Sequence, residues 1–184
     1  MSGRGIGTGV RGEKRRILIE IMDFLKTERL VLRNLMPQDA DVMFDYRNNE
    51  ICSRYQKGQT KDYAKFAKMI ERRRADVLSV EAPFMVAVAL KETNEIIGEI
   101  VVKPKGDTIE LGYTFSYRYH RCRYAFEALT ALIAQLHQMA PDRAFISFVE
   151  PQNIASMRLL QKLGYRDMGY VPTMKSQMFR KWTN

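Results

Sequence analysis

Hydrophobic positions along the chain switch between two periods: continuous runs or alternations of two, which mark strands, and recurrences at three and four, which mark helices. Residues 30–35 read as a strand and 37–48 as a helix, with Pro37 in its first turn and Asp39 and Asp41 near its positive end. Thr60 is placed to cap a second helix over 61–75. Apolar runs at 84–90 and 96–102, separated by the polar turn KETNE, and a third segment at 108–117 after PKGD predict an antiparallel meander. The clearest periodicity follows: Ala125, Ala128, Leu129, Leu132, Ile133 and Leu136 form one apolar face, and Pro141 ends that helix. A buried strand at 144–149, a helix at 153–163 stopped by Gly164, and strands at 165–171 and 177–182 complete the pattern. The expectation is seven strands and four helices in one α/β domain over residues 23–184. Residues 1–22, with five glycines in the first twelve positions and no apolar period, read as a flexible extension, a tag remnant or a misplaced start ahead of Met22.

Charge changes the picture in one respect. Thirty Lys and Arg against 21 Asp and Glu give a net charge of +9, which favours an anionic partner: nucleic acid, an acidic membrane or a phosphorylated cofactor. No apolar run reaches the roughly 18 residues of a membrane span, so no membrane partner is expected. Cys52 and Cys122 stand far apart without a CxxC or Cys/His cluster, so neither a disulfide framework nor a structural metal site is expected and a reducing, cytoplasmic compartment fits. The Gly/Arg tail and the run from Glu71 to Arg74 could serve nucleic acid, but the run sits in a predicted helix, where charges form a solvated face. Nucleic acid is therefore not the expected partner.

Motifs of metalloproteases, serine hydrolases and phosphate-binding loops are absent. Two segments carry candidate chemistry. In IELGYTFSYRYHRCRYAFEALTAL, residues 109–132, a strand passes through a basic turn into the start of a helix, where free N–H groups and the helix dipole favour an anion. In VEPQNIASMRLLQKLGYRDMGY, residues 149–170, Asn153 and Ser156 share a helical face near its start; they could meet a ligand, or Asn153 could cap the helix and Ser156 lie on its surface.

Together with TERLVLRNLMPQDADVMF and IIGEIVV, these segments resemble the GNAT acyl-CoA N-acyltransferases, in particular the branch of bacterial ribosomal-protein N-terminal acetyltransferases. The likeness spans residues 26–182, and NIASMRLLQKLGY is its most specific part. It implies a mixed, mostly antiparallel, V-shaped seven-stranded sheet flanked by four helices. It implies acetyl-CoA as cosubstrate, with no metal, and an amine acceptor such as a protein N-terminus or a small molecule. The pyrophosphate would lie on His120, Arg121, Cys122, Arg123, Tyr124 and Ala125, the pantetheine arm along Tyr113, Phe115, Ser116 and Tyr117, with Asn153 and Ser156 nearby. Arg121 and Arg123 stand where the family has glycines, whereas Ala125, Glu127 and Ala128 keep its pattern. Either the arginines add contacts to the phosphates or they crowd the turn; in the second case the chain is a GNAT-fold binding module with an impaired CoA site. A main-chain N–H near Phe115 would polarise the thioester, Ser156 would serve the leaving thiolate, since the tyrosine of many relatives is Leu160 here, and Glu110 or Glu99 would act as base. The acceptor would be shaped by residues 47–61, with Arg54, Tyr55 and Lys57. Monomer and homodimer both remain open.

Overall fold

The computed structural model describes residues 20–56 and 58–182. The strands are β1 (Asp23–Lys26), β2 (Leu30–Arg33), β3 (Phe84–Leu90), β4 (Ile96–Lys105), β5 (Thr108–Phe115), β6 (Ala144–Val149), β7 (Arg166–Val171) and β8 (Ser176–Lys181). The helices are α1 (Ala40–Asn48), α2 (Glu50–Ser53), α3 (Tyr63–Arg73), α4 (Tyr124–Met139) and α5 (Ile154–Lys162). All strands join one sheet in the order β1-β2-β3-β4-β5-β6-β8-β7. Every neighbouring pair is antiparallel except β5 and β6. A parallel pair requires a crossover, and α4 supplies it.

The mixed sheet is as expected, but among the described residues it has eight strands rather than seven, with five α-helices rather than four. The extra strand, β1, is four residues long and half-exposed, too short to show a period. The extra helix, α2, is a single turn without a buried residue. It forms because the Asn49 side chain accepts a hydrogen bond from the Ile51 N–H at 2.9 Å. α3 begins later than the sequence suggests, because Asp62 rather than Thr60 caps it, accepting from the Lys65 N–H at 3.1 Å. Residues 1–19 of the expected extension lie outside the described residues. Met22 is tied to the sheet, its N–H donating to Asn34 Oδ1 at 2.8 Å.

Each face of the sheet is covered. On one, Leu129, Leu132, Ile133 and Leu136 of α4 pack on Val86, Val88, Ile100 and Leu111. On the other, Met43 and Tyr46 of α1 and Phe66 and Ile70 of α3 pack on Met85 and Ala87. Arg33 and Asp39 are both buried there, joined by two hydrogen bonds of 2.8 Å.

Candidate functional site

β5 and β6 pair over only three positions, Thr108↔Ala144, Ile109↔Phe145 and Glu110↔Ile146. Beyond them the strands splay, and Ser147 Oγ spans the start of the gap to donate to Leu111 O at 2.8 Å. The wedge opens into a cleft of about 680 Å³, walled by β5 from Leu111 to Phe115, β6 from Ser147, the starts of α4 and α5, and residues 51–56.

The turn into α4 has an unusual backbone. Arg121 and Arg123 both adopt φ of 65°, the left-handed conformation that glycine takes without strain. Holding a side chain there costs about 1–2 kcal/mol per residue, so the chain keeps the turn that glycines would make at the expense of stability. Both arginines line the cleft, as do His120, Tyr124 and Ala125.

The turn is braced from outside. Arg29, just before β2, donates from Nε to Glu127 Oε2 at 2.7 Å and from Nη1 to Cys122 O at 3.2 Å, and its guanidinium lies 4.3 Å from the Tyr124 ring centre. Thr27 Oγ1 and the Arg29 N–H also donate to Glu127. Burial pushes the Glu127 carboxyl upward, but these donors outweigh it and hold the group below its ordinary value.

At the other wall Asn153 caps α5, its Oδ1 accepting from the Ser156 N–H at 3.1 Å. Ser156 Oγ lies 2.7 Å from the Tyr113 hydroxyl, and both line the cleft. Burial raises the Tyr113 phenol to about 12, against the smaller opposing effect of its bond to Ser156. Asn153 therefore does both things the spacing allowed, capping α5 and lining the cleft, and Ser156 faces the cleft beside it.

The remaining expected residues divide sharply. Ser116 is buried and accepts from the Arg118 N–H, Tyr117 lies in the one-turn helix that follows β5, and Cys122 is exposed beside the turn; none of the three lines the cleft. Glu110 sits on the closed, paired part of β5 with Lys103 Nζ at 3.0 Å, outside the cleft. Glu99 is buried beneath α1, where the Tyr46 hydroxyl donates to it and Arg47 Nε stands 3.7 Å away. Burial pushes its carboxyl above the usual value, against Arg47 and the hydrogen bonds of Tyr46 and Thr114. Thr114, the residue opposite Glu99 in the β4–β5 register, lines the cleft. Sequence reasoning missed Arg29, Tyr46 and Thr114, and it gave Cys52 and Gln56 only as part of the segment 47–61. It did anticipate Arg54 and Tyr55, which line the cleft; Lys57 lies outside the described residues. Among the described residues no cluster of His, Cys, Asp or Glu suits a metal ion, and no helix is long and apolar enough to cross a membrane.

Known proteins match this architecture. The chain is 28% identical over 153 residues to the uncharacterized N-acetyltransferase p20 of Bacillus licheniformis, spanning 80% of this chain and 85% of that one. A GNAT-family acetyltransferase from Bacillus anthracis superimposes with a TM-score of 0.72 at 21% identity, covering 88% of this chain and 96% of its own. The ribosomal L7/L12 alpha-N-protein acetyltransferase RimL does so with a TM-score of 0.74 at 12% identity, covering 89% and 95%. Residues 29–166 match the family model described as an acetyltransferase (GNAT) domain, and the chain belongs to the GNAT acetyltransferase family.

Proposed function

We propose that the protein transfers an acetyl group from acetyl-CoA directly to a primary amine, either a protein N-terminus or a small molecule. The observation that carries this reading is the left-handed turn at Arg121 and Arg123, which opens the start of α4 into the cleft. The residues present fit the cosubstrate. The first N–H groups of α4 lack intrahelical partners and would hold a pyrophosphate. Arg121 and Arg123, which make no ion pair among the described residues, would add charge-assisted contacts to it. The edge of β5 beyond Glu110, left unpaired by the splay, would take the pantetheine arm.

When bound, acetyl-CoA supplies the thioester carbonyl that the amine attacks. Of the paired hydroxyls of Ser156 and Tyr113, one would donate to the departing sulfur while accepting from the other, and the raised Tyr113 phenol keeps its proton at neutral pH. The Thr114 hydroxyl would accept the amine's proton while passing its own to Glu99, so a carboxylate that does not line the cleft still acts as the final acceptor. Glu110, held by Lys103 outside the cleft, takes no part. Arg54 and Tyr55 would border the acceptor.

Calorimetric titration with acetyl-CoA tests the reading, followed by release of free CoA with N-terminal peptides and small amines as acceptors. Micromolar binding and acceptor-dependent release are expected. Absence of both heat and any thermal shift overturns it.

A further inference from the structure

The edge of β5 that faces β6 has no strand partner beyond Glu110, yet its carbonyls are occupied. Leu111 O points to β6, since Ser147 Oγ donates to it at 2.8 Å. Side chains and carbonyls alternate along a strand, so the carbonyls of Tyr113 and Phe115 face the same edge. Gln56 Nε2 donates to Tyr113 O at 3.4 Å and to Thr114 Oγ1 at 3.3 Å. Cys52 Sγ donates to Phe115 O at 3.3 Å, and His120 Nε2 lies 3.0 Å from the same oxygen. With Cys52 and the Nε2–H tautomer of His120 as donors, both lone pairs of Phe115 O are used.

We infer that residues 50–56 form a strap that occupies the ligand edge of β5 and yields it when an acyl-CoA enters. The inference rests on the acetyl-CoA reading above. A ligand that adds to a strand edge places its amide N–H groups on the strand's carbonyls, and at Tyr113 and Phe115 those acceptors are held by Gln56, Cys52 and His120. The strap is built to let go. Its amide contacts are at the long limit for a hydrogen bond, α2 buries no residue, and its cap, Asn49, lies before the contacting side chains and can stay in place. Cys52 and Gln56 are four positions apart and meet the strand together, so they leave it together.

Measured affinity is the intrinsic affinity reduced by the fraction of molecules whose edge is open. Loss of one ordinary hydrogen bond from the closed form therefore tightens binding by roughly two- to tenfold. The test is calorimetric titration with CoA of the native protein, Gln56→Ala and Cys52→Ala, with hydrogen exchange of residues 50–56 recorded with and without CoA. Each variant is expected to bind more tightly, and the strap amides to exchange faster in the native complex. Binding by the variants alone gives the same conclusion in stronger form. Weaker binding by Gln56→Ala, unchanged affinity in both variants, or unchanged or slower exchange in the strap overturns the inference and leaves the acetyl-CoA reading standing. No binding by any of the three proteins overturns that reading itself, and the strap with it.

Discussion

Arg29 and Glu127, 98 positions apart in sequence, meet at 2.6 Å on the outer side of the turn that opens α4. The same guanidinium holds Cys122 O and stacks on Tyr124, so one residue ahead of β2 fixes both ends of the turn. Arg29→Ala leaves Glu127 with fewer donors and is expected to cost about 1 kcal/mol of stability, because the pair is partly exposed and screened by solvent. The stability it removes has a defined pH dependence. Because the folded state holds Glu127 below its ordinary value, the native contribution is present above the ordinary carboxyl range and disappears as pH falls through the depressed folded value. Unfolding curves of native protein and Arg29→Ala should differ at neutral pH and converge in acid; curves that stay parallel down to pH 3 refute the assignment.

The two left-handed arginines predict a trade. Arg121→Gly and Arg123→Gly each relieve about 1–2 kcal/mol of backbone strain, offset in part by the roughly 0.5–1 kcal/mol of extra chain entropy that glycine brings to the unfolded state. Net stabilisation of about 0.5–1 kcal/mol per site is expected from denaturant unfolding. CoA binding should move the other way, weakening and losing part of its salt dependence as each guanidinium is removed. A glycine variant that binds CoA more tightly would show that the side chains obstruct the phosphates.

The parts of this site that could be read in the sequence are those with a period or a cap behind them. β5, β6, α4 and α5 are each long enough to repeat a pattern, and they make most of the cleft. α2 could not be read, because one turn with no buried residue leaves no pattern. Nor could the role of Arg29, since nothing local links it to Glu127. Glu99 and Glu110 look alike in sequence, single acids on neighbouring strands. Their difference comes from what covers them: α1 lies over Glu99, whereas Lys103 sits beside Glu110 in the β4–β5 register. Arg121 and Arg123 could be matched to glycine positions, but only the backbone shows that the glycine conformation survives the substitution.

The Glu99 carboxyl predicts the pH profile of turnover. As a proton acceptor it must be ionised, so activity should rise with pH through a value above the ordinary carboxyl range. Glu99→Gln should lower kcat by about 10²–10⁴-fold, the usual worth of a general base, and remove that limb while CoA affinity stays the same. Thr114→Val should reproduce the loss and Thr114→Ser restore most of it. The stability sign is opposite to that of Glu127. A carboxyl raised in the folded state favours folding while protonated, and this advantage is lost as pH rises from the ordinary value through the raised one. A full acid limb in Glu99→Gln would assign the base elsewhere.

Gly98 predicts how little room β5 leaves at the cleft. In β4 the residue opposite Val88 is Gly98 while Ala89 faces Ile96, so Ile97 is an extra residue that kinks the strand beside Phe115. A methyl group on Gly98 would stand 2.6 Å from Phe115 Cδ1 and 2.8 Å from Thr114 O. Phe115 is in the core and bounds the cleft, so it must turn, and the Thr114 backbone must shift with it. Gly98→Ala is therefore expected to cost about 1–3 kcal/mol, the range for overpacking a core. Because Thr114 carries the path to Glu99 and Phe115 O is the anchor of Cys52, the same change should also disturb catalysis and the strap together. Turnover at native level in a folded Gly98→Ala protein would separate the kink from the site.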